Sequence, residues 1–221
     1  MLRRAYNMLI ILVFHLLGIA FALRQDAALP SGVVSMFSVI IATDDSGRAL
    51  VPTLAALVPG AIAGVVREVI IADGGSRDDS EQVADIAGCR FLSSTEPFGA
   101  RLKAAAAIAR NEWLMFLRPG IVPGLSWIDE TITFVQRTAD QPRAAVFAVE
   151  NIGVVAWLSR ALAPLPRSEQ GLILSRSFYE ELGGHRADAR HTEIDLLRRI
   201  GRSRLATLRT TVSYPIFDSV N

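Results

Sequence analysis

Residues 65–80 read VVREVIIADGGSRDDS, and this stretch decides the fold. Its apolar first half, Val65 to Ala72, predicts a strand that closes in the sharp turn Asp73-Gly74-Gly75-Ser76. Asp78 to Ala87 then predicts a helix, with Ser76 or Asp78 as its N-cap. A strand that passes through a turn into a helix is the repeating unit of α/β proteins.

The same alternation of strands and helices continues on both sides of this unit. Phe37 to Thr43 is a continuous apolar run, which indicates a strand buried on both faces, and Leu50 to Val58 predicts a helix that ends at Pro59-Gly60. The further predicted strands are Cys89–Ser93, Trp113–Leu117, Ala144–Val149, Gly171–Leu174 and Leu205–Ser213. The further predicted helices are Arg101–Arg110, Ser126–Thr138, Ser177–Leu182 and Thr192–Ile200, with a loop at Arg118–Gly124. The pattern predicts an α/β domain with a mostly parallel sheet flanked by helices.

Three polar segments follow predicted strands directly. They are Thr43-Asp44-Asp45, Asp73-Gly74-Gly75-Ser76 and Arg118-Pro119-Gly120. Ligands of open α/β sheets bind beyond the carboxyl ends of the strands, so we expect the three segments to line one crevice. No GxGxxG follows the first strand and no GxxxxGK[ST] occurs, which argues against a dinucleotide-binding domain and excludes a phosphate-binding P-loop.

Composition limits the classes of function. The chain has 221 residues, 51% of them hydrophobic and 20% charged, which is typical of one globular domain. A net charge of +1 argues against nucleic acid as a partner. Cys89 is the single cysteine, which excludes a disulfide framework and a cysteine-based zinc site.

The N-terminal segment 1–35 is separate from the domain that we place at 36–221. Residues 8–23 are apolar without a full charge, follow Arg3 and Arg4, and end in Ala20-Phe21-Ala22, as a signal or anchor would. Met36 directly before the first strand also fits a misplaced start. A cytoplasmic location, with membrane association through residues 8–23 as the alternative, is our expectation.

The chain resembles family 2 glycosyltransferases, which have the GT-A fold, a Rossmann-like α/β architecture. Asp73 to Ser80 fits their D-x-G-S-x-D-x-[ST] pattern, following the strand at Phe37–Thr43. Gly171 to Gly184 is similar to the acceptor-side segment of the family, and Glu193-Ile194-Asp195-Leu196 resembles its late acidic motif.

This resemblance implies a site for a nucleotide-sugar donor. Asp73 and one of Asp44 and Asp45 would hold the nucleoside beside Thr43, and Arg101 would reach the diphosphate. Gly74 and Gly75 would let the backbone approach the nucleotide closely. The alternative for Asp73 is a purely local role, in which it bonds N–H groups of its own turn.

The sequence departs from the family pattern after the strand Trp113–Leu117. An Asp-x-Asp motif that binds Mg²⁺ or Mn²⁺ normally follows, but no carboxylate occurs between Leu117 and Trp127. Three interpretations stay open: Arg118 neutralises the diphosphate instead of a metal, the site has decayed, or Arg118 is an ordinary loop residue. We predict no firmly bound metal, although Mg²⁺ or Mn²⁺ remains compatible with the fold.

The late acidic motif supplies the candidate general base. An inverting transfer needs one carboxylate to take the proton of the acceptor hydroxyl, and Glu193 matches that position, with Asp195 as second choice. Ordinary helix N-terminal charge is the alternative for both. His185 and His191 are expected at the surface, or else beside the base.

The expected partners follow from this site. They are a nucleotide-sugar donor and a saccharide or lipid-linked acceptor, with possible peripheral membrane contact. Arg198, Arg199, Arg202 and Arg204 suggest an anionic neighbour such as lipid headgroups, or else surface charge that complements the helix dipole. The rival function is a non-catalytic protein on the same fold that binds a nucleotide sugar or a partner enzyme.

Overall fold

The computed structural model describes residues 37–138, 141–149 and 170–214. The predicted extension at 1–35 and the start at Met36 lie outside these ranges. In the parts of the chain that are described, no helix is both long and apolar enough to cross a membrane.

The described residues form eight strands and six α-helices in alternating order. The strands are β1 (Phe37–Thr43), β2 (Val66–Asp73), β3 (Arg90–Ser93), β4 (Trp113–Leu117), β5 (Val122–Pro123), β6 (Ala144–Val149), β7 (Leu172–Ser175) and β8 (Leu205–Ser213). The helices are α1 (Gly47–Ile62), α2 (Ser80–Ile86), α3 (Phe98–Ile108), α4 (Trp127–Thr138), α5 (Arg176–Glu181) and α6 (Thr192–Ile200), and a 3-10 turn, Arg202–Arg204, precedes β8.

Several predicted boundaries differ from the observed ones; α1 and α3, for example, each begin three residues before the predicted start. The break expected at Pro59-Gly60 does not occur, since α1 continues to Ile62. Gly60 is buried, and a Cβ there would lie 2.5 Å from the Trp127 ring, so the tight packing of these two residues outweighs the local breaker signal. The loop predicted at Arg118–Gly124 contains β5, which pairs with β8.

All eight strands belong to one sheet with the order β3-β2-β1-β4-β7-β6-β8-β5. Its first four strands are parallel, so β1, β2 and β4 end at the same edge. β7 is antiparallel to β4 and to β6, while β6 and β8 are parallel. The prediction of a mostly parallel α/β sheet flanked by helices is confirmed.

Apolar layers cover both faces of the sheet, because successive residues of β1 point to opposite sides. Val39 and Ile41 join the core beneath α1 and α4, whereas Ile40 and Ala42 join the core beneath α3, α5 and α6. All seven residues of β1 are buried. The sheet is thus a rigid platform whose carboxyl edge presents the loops.

The core beneath α1 gives a first prediction. Leu54→Ala removes a side chain with 0% exposure and is expected to lower the free energy of unfolding by about 3 kcal/mol, since it leaves a cavity. Ile62→Ala, on the same helix but 55% exposed, is the control and should change it by about 0.5 kcal/mol or less. Equal losses in urea unfolding of the two variants would contradict this packing.

Candidate functional site

The loops at the carboxyl edge of the sheet are tied together by Asp73. Its side chain accepts hydrogen bonds from Thr43 Oγ1 at 2.9 Å, from the backbone N–H groups of Gly75 and Ser76 at 2.8 Å each, and from the Ser76 hydroxyl. Ser93 Oγ lies 3.3 Å away. Asp73 is 1% exposed, so both of its oxygens serve the protein itself. The contacts fit the local role, and direct contact of Asp73 with a nucleoside stays a prediction.

The protonation of Asp73 reflects these bonds. Burial alone would raise the pKa of its carboxyl group, but the bonds from Ser76, Thr43 and Gly75 outweigh burial and hold the pKa below its ordinary value of 3.8. Asp73 is therefore ionised at neutral pH and holds the turn as an anion.

The two acids after β1 have different roles. Asp45 has a φ of +45°, accepts a hydrogen bond from the Arg77 backbone at 2.7 Å, and donates from its own N–H to Ser76 Oγ at 2.9 Å. Asp44 is exposed, and its carboxylate has no partner among the described residues. Asp45 thus fixes the turn after β1, while Asp44 presents a carboxylate to solvent.

Arg101 lies beneath the strand ends instead of facing the crevice openly. It is 8% exposed, and its Nη1 donates to the carbonyl oxygens of Thr43 at 2.8 Å and Ala72 at 3.1 Å. A Cβ on Gly74 would lie 2.8 Å from that nitrogen. The space that Gly74 leaves is therefore taken by Arg101, and close approach of a nucleotide to Gly74 stays a prediction.

Gly75 has open space beside it, and its approach to a nucleotide stays a prediction. Its φ of +87° favours glycine, and an added Cβ there would meet only Thr95 Cγ2, at 3.7 Å. The Nε atom of Arg101 is buried without a hydrogen-bond partner in the structure. A buried cationic donor whose Nε–H is unused thus lies under this turn.

The residue after β4 contacts the predicted base directly. Arg118 Nε donates to Glu193 Oε1 at 3.1 Å, and Arg118 Nη2 donates to Oε2 in a close ion pair. The side chains are 43% and 19% exposed. Arg118 is thus not an ordinary loop residue, because it joins the carboxyl end of β4 to the first turn of α6.

An aromatic ring that is not among the predicted site residues lies close to both Arg101 and Arg118. The guanidinium carbons of Arg101 and Arg118 lie 5.6 and 5.7 Å from the ring centroid of Phe98, the first residue of α3. Such contacts attract cations to the ring. An aromatic residue three positions before Arg101 was the available signal, but the distant Arg118 could not be inferred from it.

Close packing brings α3 and α6 together. A Cβ on Gly99 would collide with the carbonyl oxygen of Arg186 and would lie 2.5 Å from Thr192 Oγ1. The Thr192 hydroxyl donates to the same Arg186 carbonyl. Gly99 therefore allows the start of α6, with Glu193, to approach Phe98.

Asp195 is directed elsewhere. Residues i and i+2 point to different sides of a helix, and Asp195 pairs with Arg199 at 2.8 Å and with Arg186 at 3.8 Å. Arg199 in turn donates to the carbonyl oxygens of Leu182 and Gly184. Asp195 therefore supports the loop before α6, and these ion pairs do not favour it as the base.

The arginines expected to face an anionic partner are partly internal. Arg204 donates to the carbonyl oxygens of Ile200 and Arg199, each at 2.9 Å, and lies 5.0 Å from the Phe178 ring centroid. Arg199 is engaged as well, so at least two of these four arginines bond to the protein itself.

His185 is buried, against the expectation of a surface histidine. It is 1% exposed, its Nδ1 lies 2.9 Å from the Tyr179 hydroxyl, and its ring centroid lies 4.7 Å from that of Phe116. The Tyr179 oxygen also accepts a hydrogen bond from the His185 backbone N–H at 3.0 Å. Burial lowers the pKa of His185 to about 3, which keeps it neutral.

The position after β4 does not suit a divalent cation. That position is Arg118, a fixed cation, where a hard metal requires oxygen ligands. Within the described ranges, no group of three or more His, Cys, Asp or Glu side chains is arranged to hold a metal ion.

Solved structures of glucosyl-3-phosphoglycerate synthase from Mycobacterium tuberculosis share this architecture. Its complex with Mn²⁺, UDP and glucosyl-3-phosphoglycerate matches with a TM-score of 0.62 and 19% identity over 85% of this chain and 78% of that chain. Its complex with phosphoglyceric acid matches with a TM-score of 0.64 and 18% identity over 85% of this chain and 78% of that chain. The complex with Mn²⁺, UDP-glucose and phosphoglyceric acid matches with a TM-score of 0.63 and 18% identity over 85% of this chain and 77% of that chain.

The sequence comparisons give no match, neither among protein-family models nor among curated proteins. At 18–19% identity, the structural likeness establishes the fold and does not by itself carry an activity. The GT-A-like fold class expected from the sequence is confirmed.

The different roles of the two acids after β1 can be tested by stability. Asp45→Ala should lower the free energy of unfolding by about 1–2 kcal/mol, because alanine tolerates positive φ poorly and cannot accept the Arg77 bond. Asp45→Asn preserves both features, and Asp44→Ala removes an exposed group without contacts. Both should stay within about 0.5 kcal/mol of wild type in chemical denaturation. A loss in Asp44→Ala as large as in Asp45→Ala would contradict the assignment.

The buried histidine makes stability depend on pH. Below its ordinary pKa of 6.5 the unfolded chain protonates His185, while the folded chain does so only near 3. The unfolded state therefore binds more protons, and stability falls as the pH drops from 6.5 towards 3. Between pH 8 and pH 5, protonation of His185 in the unfolded state should lower the free energy of unfolding by about 2 kcal/mol, and His185→Gln should remove this part of the loss.

The control for this measurement is His191→Gln, which changes an exposed histidine six residues later. It should leave the pH dependence of the unfolding free energy as in wild type. An unchanged slope in His185→Gln would show that His185 does not remain neutral in the folded protein.

Proposed function

We propose that the protein transfers a sugar from a nucleotide-sugar donor to an acceptor hydroxyl, as a family 2 type glycosyltransferase. The observation that carries the proposal is the contact between Arg118 and Glu193 at the carboxyl end of β4. A cation that suits a leaving diphosphate and a carboxylate that suits the acceptor proton meet there, on a GT-A-like fold.

Each group has a role in direct displacement. The acceptor oxygen forms a bond to the anomeric carbon while the bond from that carbon to the diphosphate oxygen breaks. Glu193 accepts the hydroxyl proton, and Arg118 stabilises the negative charge that grows on the diphosphate. One such step inverts the anomeric configuration, so inversion is part of the proposal.

The donor is proposed to be a UDP-sugar. The similar synthase was solved with UDP and with UDP-glucose, which makes these the first probes for this chain. Asp44, with its solvent-facing carboxylate, is the proposed acceptor of hydrogen bonds from the nucleoside, while Asp73 and Asp45 hold the loops on either side. The unused N–H of Arg101 lies under the same turn.

The acceptor is proposed only as a hydroxyl compound, because the described residues do not distinguish a small phosphorylated acid from a saccharide or a lipid-linked sugar. The similar synthase was solved with phosphoglyceric acid. This compound is therefore a suitable acceptor probe beside simple sugars.

A non-catalytic protein that binds nucleotide sugars is the second candidate. It is favoured by one observation, the engagement of the Glu193 carboxylate by Arg118, which leaves the candidate base paired. Under this alternative the protein binds UDP-glucose but yields neither transfer product nor free UDP.

Calorimetric titration with UDP and UDP-glucose, with product analysis by mass spectrometry, tests the proposal. Arg118→Ala should weaken UDP binding by about 10- to 100-fold, the loss expected for a charge-assisted bidentate contact. Asp44→Ala should weaken it by about fivefold, as for one hydrogen bond. Both effects should persist without added Mn²⁺.

The control is Arg110→Ala, which removes an exposed arginine just before β4, at the opposite edge of the sheet from Arg118. It should leave UDP binding unchanged. If Arg118→Ala binds UDP as tightly as wild type, the proposed contact of Arg118 with the diphosphate is wrong. UDP-glucose binding without turnover would favour the non-catalytic alternative.

A further inference from the structure

The guanidinium edge of Arg118 is occupied by an anion that belongs to the protein. Nε and Nη2 of Arg118 form a two-pronged contact with the two oxygens of Glu193. This planar fork fits a carboxylate and a phosphate group equally well. Glu193 therefore fills the place on Arg118 that an anionic ligand would take.

We propose that the diphosphate of the donor displaces Glu193 from Arg118, and that this exchange releases the Glu193 carboxylate to accept the acceptor proton. The inference rests on the proposed function and adds an order to it. The donor binds first, and the base becomes available only in the donor complex.

The charges and the exposure of the pair favour such an exchange. The Arg118 side chain is 43% exposed, and an ion pair with that much solvent contact contributes little to stability. A diphosphate offers more negative charge and more acceptor oxygens than one carboxylate. The internal contact therefore competes with the diphosphate without excluding it.

Two neighbouring contacts keep the site assembled while the partner of Arg118 changes. The Phe98 ring supports the guanidinium of Arg118, with 5.7 Å between its centroid and the guanidinium carbon. Gly99 and Thr192 hold the start of α6 against α3 independently of the ion pair. Glu193 can thus rotate away from Arg118 while its backbone remains beside the crevice.

Removal of the internal competitor gives the decisive experiment. Glu193→Gln should bind UDP and inorganic pyrophosphate about fivefold more tightly than wild type, the size of effect that an ion pair of this exposure gives. The gain should vanish in an Arg118→Ala background, because the competition requires that guanidinium. Transfer and donor hydrolysis should be lost in Glu193→Gln despite the tighter binding.

Asp188→Asn is the matched control for charge. Asp188 is exposed on the loop between α5 and α6 and has no partner among the described residues, so its removal lowers the local negative charge without touching Arg118. It should leave UDP affinity unchanged. Thermal unfolding of all variants separates a loss of binding from a loss of folding.

The outcomes distinguish this inference from the proposed function. If wild type binds UDP and Glu193→Gln binds it no more tightly, the exchange is wrong while the transferase proposal stands. An equal gain in UDP affinity in Asp188→Asn would show that the effect comes from the lower overall negative charge, and this result would also overturn the exchange. If neither wild type nor Glu193→Gln binds UDP or pyrophosphate, with or without Mn²⁺, both proposals fail.

Discussion

The buried carboxylate of Asp73 is the constraint on which the rest of the crevice depends. It ends β2, yet it accepts hydrogen bonds from the last residue of β1 and from a residue at the end of β3, as well as from its own turn. One anion thus fixes the relative positions of three parallel strands at their carboxyl ends. The Ser76 hydroxyl that it orients also accepts the N–H of Asp45, and the left-handed backbone of Asp45 is held in that way.

Much of the fold follows from short segments of sequence. β1 and β4 occupy the residues predicted for them, because their apolar runs report directly on burial on both faces. The loop residues at the carboxyl edge also lie where parallel strands require. The predicted end of α1 was wrong because proline and glycine are local signals. The packing of Gly60 against Trp127, which continues the helix, depends on the tertiary structure.

The side-chain partners in the crevice could not be predicted in the same way. Arg118 and Glu193 were each identified as candidates, but their contact joins residues 75 positions apart and appears only when α3 and α6 pack. Arg101 was expected to face a ligand, and the absent side chain of Gly74 lets it turn inward to the strand carbonyls instead. The sequence identifies which residues follow the strands at the carboxyl edge of the sheet. The direction of a long side chain such as that of Arg101 depends on the space between neighbouring residues, which appears only in the folded structure.

The position after β4 links these observations to chemistry. In the family that the sequence resembles, an acid at this position holds a divalent metal, and no guanidinium follows the strand for the carboxylate of α6 to pair with. Arginine changes both properties together, because a guanidinium that can hold a diphosphate also attracts the nearest carboxylate. Glu193 neutralises the charge of Arg118 in the structure. Under the proposed function, it does so until the diphosphate of the donor takes its place. The absence of an acid after β4 and the pairing of the candidate base are therefore one feature of this site, since both follow from the presence of arginine at residue 118.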